Sequence, residues 1–230
     1  MVTWRSLGLP VAASSSRTTG CRNPHPGRGR GSRSLAAQSF ADRRPDRVVW
    51  PGTRWEWAVL RPENGTFDTP DYADVHARQK WFYQAQIQSP AMFARSPGAG
   101  SLYRLCTRDE TGAYLEGGRS YTLDVPQPVP AKLFWSLTVY DARTRSEIRT
   151  DQNKAAMRSL FELDSVPADQ PVRLFFGAEP PSHDGTEAAA VDRWIQTLPG
   201  VGWFVYFRIS GPECPAFDGE WQLPDLTRTE

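Results

Sequence analysis

Beyond residue 100, apolar and polar positions alternate with a period of two, the pattern of strands that bury one face. Tyr103 and Leu105 flank Arg104. Tyr121, Leu123 and Val125 alternate with Thr122 and Asp124, and Pro126, Pro128 and Pro130 end that strand, since proline cannot donate to a ladder. Lys132 to Tyr140 is the strongest strand signal. Val172, Leu174 and Phe176 form another, closed by Gly177 and Pro180-Pro181. Trp203 to Ile209 is the last long one, bracketed by Pro199-Gly200 and Gly211-Pro212. Gly112 and Gly117-Gly118 isolate a short apolar piece at Tyr114-Leu115. Asn153 to Leu163, with Ala155, Ala156, Met157 and Leu160, predicts a short helix between strands. Short strands with Gly/Pro turns predict an all-β, antiparallel sandwich and not a parallel sheet.

Before residue 100 the period changes. Trp55 to Leu60 predicts a strand ending at Arg61-Pro62, with a turn at Asn64-Gly65. Tyr72, Val75, Gln79, Phe82, Tyr83 and Gln86 recur at three- and four-residue intervals and predict an amphipathic helix over 71–88. Asp68, Thr69 or Asp71 would cap it, Pro70 suits its first turn, and Ser89-Pro90 ends it. The organisation expected is a disordered basic extension over 1–47, a connector with a short strand and that helix over 48–97, and the β domain over 98–230.

The two strongest strands carry an unusual second face. Leu133, Trp135, Leu137 and Val139 share one side of the first, and Trp203, Val205, Phe207 and Ile209 one side of the second; these are the expected core. Phe134, Ser136, Thr138 and Tyr140 lie opposite in the first, and Phe204, Tyr206 and Arg208 in the second. That set is too aromatic for a plainly solvated face. Another domain, a second subunit, the helix or a ligand is expected to cover it.

Charge separates two parts of the chain. Residues 1–47 hold nine Arg against two Asp, a balance of +7 within a whole-chain charge of +1, so the remainder carries −6. The stretches Ser14–Gly20 and Arg28–Arg33 offer no apolar periodicity to bury. The arm reads foremost as an unstructured extension. A phosphate-binding arm and a transit-like presequence are the other readings, and the lack of interleaved aromatics counts against nucleic acid. No stretch approaches the roughly 20 apolar residues of a membrane span. Cys21, Cys106 and Cys214 form no metal-like spacing and no disulfide framework, and His25, His76 and His183 are equally scattered, so neither metal nor other cofactor is expected. A reducing cytoplasm fits these thiols.

Residues from about Ala91 onward resemble the domain-of-unknown-function family 1214, which commonly follows its partner family 1254. The resemblance lies in Tyr121-Thr122-Leu123, Pro130–Asp141, Thr144-Arg145-Ser146 and Thr150-Asp151-Gln152. It continues in Phe176-Gly177, Trp194–Gly200, Gly202-Trp203-Phe204, Gly211-Pro212, Phe217-Asp218 and Trp221. It implies a jelly-roll-like antiparallel sandwich and little about chemistry. Two departures stand out. Residues 1–65 are too short for the partner domain, and Leu163–Pro167 replaces the family's Asn-Asp-Gly-Ser turn.

Two classes of function follow. The leading one is a binding module for a small polar or carbohydrate-like ligand, or an oligomerisation and docking domain, with Tyr140, Asp141, Arg145, Trp194, Tyr206 and Arg208 as ligand-binding candidates. Arg208 would clamp a carboxylate while Tyr140 and Tyr206 donate hydrogen bonds. The alternative is a hydrolase or lyase using Asp141 as general base with Arg145 or Arg208. Asp141, Thr144, Arg145 and Ser146 also read as a polar turn, and Ser136 lacks a nearby histidine. Neither a nucleophile elbow nor a phosphate loop is present. Convergence of Asp141, Arg145, Trp194 and Arg208 on one pocket would favour the enzyme.

Overall fold

The computed structural model of the chain describes residues 40, 45–58, 67–84, 96–98, 100–164, 167, 169–181 and 188–229. Nine strands are described: β1 (Glu56–Trp57), β2 (Ser101–Cys106), β3 (Ser120–Val125), β4 (Ala131–Asp141), β5 (Ala156–Arg158), β6 (Val172–Gly177), β7 (Trp194–Gln196), β8 (Trp203–Pro212) and β9 (Thr227–Thr229). The helices are α1 (Val75–Gln84), α2 (Ala188–Asp192) and α3 (Pro215–Asp218). The fold is all-β: a five-stranded sheet in the order β1-β2-β8-β4-β5 and a four-stranded sheet in the order β7-β6-β3-β9.

The alternation read from the sequence sets which side of each strand is dry. Trp135, Leu137 and Val139 of β4 and Trp203, Val205, Phe207 and Ile209 of β8 are buried, as are Tyr121, Leu123, Val125, Leu174 and Phe176 of the smaller sheet. These residues form one core. Trp203 joins the sheets, with its ring 5.5 Å from that of Tyr121 and stacked 5.3 Å from Phe176. Around Phe207 the rings of Trp55, Trp135 and Trp221 close the other end. Each such ring removes roughly 150–250 Å² from water, and the indole N–H groups of Trp55 and Trp221 are kept satisfied by the carbonyls of Pro224 and Pro126.

Several expectations are corrected. Residues 156–158 form an edge strand and not a helix: Met157 pairs with Leu137 and is fully buried, so burial against β4 outweighs the helix propensity of its alanine neighbours. Leu133 is 63% exposed and not core. A register shift between Ala131 and Phe134 turns it outward, opposite Gly211, whose φ of 63° favours glycine. One pair breaks the antiparallel rule, because β6 and β7 run parallel and the connection between them carries α2.

The helix before the β domain is present as α1, and residues 85–90 lie outside the described part. Its dry face differs from the one expected. Ala77, Lys80 and Trp81 are buried, whereas Tyr72, Val75 and Phe82 are exposed. Lys80 lays its stem inward and donates from Nζ to the Trp57 carbonyl at 2.6 Å, so a lysine sits where sequence periodicity expects a polar surface. Asp74, and not an earlier residue, caps the helix by accepting the Ala77 amide at 3.0 Å.

The strand expected over 55–60 is described only as β1, and residues 59–60 lie outside the described part. It joins the edge of the five-stranded sheet by pairing with β2, while Trp50 and Trp55 enter the core. Structure also begins before residue 48, since Pro45–Arg47 form a 3-10 turn and buried Arg47 pairs with Glu56 at 2.9 Å. Residues 1–39 and 41–44 lie outside the described part. No described helix is long and apolar enough to cross a membrane.

Candidate functional site

Strands β2, β8 and β4 lie side by side, so residues of equal parity on them project from one outward face. Tyr103 stands opposite Arg208, Arg208 opposite Ser136, Tyr206 opposite Thr138 and Phe204 opposite Tyr140. The outcome is a string of rings. Tyr140 stacks on Phe204 at 5.4 Å and meets Tyr206 edge-on at 5.3 Å, and Tyr206 meets Tyr103 at 6.3 Å. The guanidinium of Arg208 lies 5.6 Å from the Tyr103 ring and 5.5 Å from that of Phe134, and Nε donates to the Ser101 hydroxyl at 3.0 Å.

Part of this face is covered from within the chain. Phe40 sits 5.5 Å from Phe204 and 5.4 Å from Tyr83 of α1, and the Arg145 guanidinium lies 4.2 Å from the Tyr83 ring. Phe204 is consequently dry, while Tyr103, Phe134, Tyr140, Tyr206 and Arg208 stay half-buried. Burial pushes the Tyr206 phenol well above its ordinary pKa, with nearby Tyr140 adding to the rise and Arg47 opposing it. Burial raises Tyr140 too, reinforced by Glu147 and Tyr103 and opposed by Arg208. Both phenols therefore keep their protons and remain donors at neutral pH. Among the described residues, no carboxylate pairs with Arg208, and the hydroxyls of Tyr103, Tyr140 and Tyr206 make no hydrogen bond.

The six residues singled out in the sequence thus divide into three groups. Tyr140, Tyr206 and Arg208 share the face just described. Asp141 and Arg145 belong to the turn after β4. There the Asp141 carboxylate accepts the amides of Arg143 and Thr144 at 2.7 and 2.9 Å, and Arg145 has a φ of 60° and donates to the Arg143 carbonyl at 2.6 Å. Because Asp141 pairs with Trp203, five residues along β8 from Arg208, the two Cα atoms are separated by about 17 Å at strand rise. Trp194 lies in the other sheet.

Around Trp194 there is a second concavity, which the sequence reading did not identify. A cleft of about 370 Å³ opens on the outward face of the four-stranded sheet, with Phe175 and Trp194 as its floor and Ser120, Thr122 and Thr229 beside them. Thr122, Phe175 and Trp194 are register partners across β3, β6 and β7. Glu179, Pro180 and Pro181 form a rim. The signal was available, since period two already places Thr122 and Phe175 outward. Among the described residues, no three His, Cys, Asp or Glu side chains are grouped to hold a metal ion.

A family model described as "Protein of unknown function (DUF1214)" matches residues 100–214. Among solved structures, the VPA0106 protein from Vibrio parahaemolyticus is similar over 87% of this chain and 43% of its own, at 18% identity and a TM-score of 0.51. An uncharacterised protein from Burkholderia cenocepacia is similar over 86% of this chain and 48% of its own, at 11% identity and a TM-score of 0.33. The chain thus spans less than half the length of either. No curated protein matches it.

Proposed function

The chain belongs to the DUF1214 family of proteins of unknown function, and from that premise we propose that it is a binding module for a small carboxylate with an apolar body. The observation that carries this reading is a row of donors with no acid paired to it among the described residues: half-buried Arg208, bonded only to the Ser101 hydroxyl, lies beside Tyr103, with Tyr206 and then Tyr140 following along the same face. A half-buried charge with no counter-charge is costly. A ligand carboxylate would supply that charge, accept from the guanidinium fork and the phenols, and leave its apolar part against the rings. We read the two sheets and their shared core as a jelly-roll-like sandwich from which this face projects.

The geometry supports a hydrolase or lyase less well. Asp141 is committed to turn amides, and its distance from Arg208 is too great for both to act on one reacting atom. A docking role is the second reading, favoured by Tyr72, Val75 and Phe82, which stay exposed on or beside α1. Thermal-shift titration with benzoate and 3-phenylpropanoate, against benzamide and 3-phenylpropanamide, tests the proposal. The acids should stabilise the chain, the amides should not, and Arg208→Gln should abolish the difference. Equal shifts from acid and amide, or undiminished shifts in Arg208→Gln, would overturn it. A dimer by light scattering that dissociates in Phe82→Ser would favour docking.

A further inference from the structure

The cleft over the four-stranded sheet differs in chemistry from the tyrosine–arginine face. It is lined by the half-buried Phe175 and the largely buried Trp194, an indole locked in place by donating Nε1 to the Gly177 carbonyl at 3.0 Å. Strand β7, which carries Trp194, is held from outside by Gln152. The Gln152 side chain accepts the Gln196 amide at 2.8 Å and donates to the Trp194 carbonyl at 3.0 Å, as a neighbouring strand would. The platform is therefore rigid on its edge side. Next to it, a Cβ at Gly177 would stand 3.0 Å from the Ser120 Oγ, so glycine there leaves room for that hydroxyl.

Beside the rings stand groups that both give and take hydrogen bonds. The side chains of Ser120, Thr122 and Thr229, and the Glu179 carboxylate, make no hydrogen bond among the described residues. Among the described residues, no lysine, arginine or histidine lines the cleft. A free anion finds no counter-charge here, and a purely apolar ligand would leave hydroxyls and a carboxylate without partners. The volume of about 370 Å³ lies at the lower end of the roughly 300–1,000 Å³ common for small-molecule sites.

We infer that this cleft is a second binding site, specific for a neutral saccharide ring that lays its C–H face on Phe175, with Trp194 alongside. The ring's hydroxyls then reach Ser120, Thr122 and Thr229 along one side and the Glu179 carboxylate at the rim. This site is separate from the carboxylate-binding face and does not depend on it.

Nuclear magnetic resonance titration of the full chain tests the inference, with glucose, galactose, N-acetylglucosamine, cellobiose and maltose as probes up to about 10 mM, the weak end of specific binding. At least one sugar should shift the Trp194 indole and Phe175 resonances. Phe175→Ala should weaken that binding roughly ten-fold or more, as loss of a stacking ring does. Thr122→Val keeps shape while removing one hydroxyl, so it should weaken binding even if the phenylalanine variant folds poorly. Arg208→Gln should leave sugar binding unchanged. The inference is overturned if none of these sugars moves the cleft resonances, or if binding survives in both cleft variants.

Discussion

The outward faces of the two sheets follow the same alternation and back onto the same core, yet they solve the problem of exposed aromatic rings differently. On the five-stranded sheet, Phe40 and Tyr83 fold over Phe204 and shut part of the face, leaving a strip of phenols and a guanidinium. On the four-stranded sheet, Phe175 stays open beneath a rim that carries Glu179. One face offers positive charge and donors; the other offers hydroxyls and a negative charge. A strand's parity determines which residues point outward, and the neighbouring strands determine what chemistry they make together.

The strongest way to break the comparison is to remove the residue both faces rest on. Trp203→Ala deletes the ring that touches Tyr121 and Phe176 across the core, and should cost about 3–5 kcal/mol in denaturant unfolding. Both faces should lose binding together. Gln152→Ala is more selective. It removes the side-chain partners of β7 and should cost about 1–3 kcal/mol, with faster hydrogen exchange at the Gln196 amide. The cleft should suffer and the tyrosine–arginine face should not.

A pH series sharpens the contrast from the other side. Burial holds the Tyr206 and Tyr140 phenols protonated where the unfolded chain would ionise. Unfolding then releases protons, so stability is complete below about pH 10, the ordinary phenol value, and falls as pH rises above it. Tyr206→Phe should flatten that alkaline decline in melting temperature while leaving the neutral region nearly level. The smallest effect is expected on the two central strands of the other sheet, β3 and β6. Arg173 donates to Asp124 at 2.7 Å, but both are about half exposed, so Arg173→Ala should change stability by about 0.5 kcal/mol or less.

The long strands were legible because Pro and Gly punctuate them and because inward positions are apolar in β3, β4, β6 and β8. The grouping of Tyr140, Tyr206 and Arg208 was legible for the same reason, once β4 and β8 are neighbours. Three features were hidden by long-range effects. Met157 reads as part of a helix until its partner Leu137 is known. Leu133 reads as core until the bulge shifts its parity. Trp194 reads as a ligand-binding candidate, but its neighbour Phe175 is invisible until the parallel pairing of β6 with β7 is known. The buried face of α1 was misjudged because Lys80 is buried through a hydrogen bond to a distant carbonyl.

The central claim is that Arg208 and its three tyrosines hold a carboxylate. It is tested most directly by following tyrosine ring and tryptophan indole resonances of the full chain during titration with 3-phenylpropanoate. The account predicts saturable shifts confined to Tyr103, Tyr140 and Tyr206, absent with the amide and lost in Arg208→Gln. Shifts centred on Trp194, or tyrosine shifts that persist without Arg208, would contradict it.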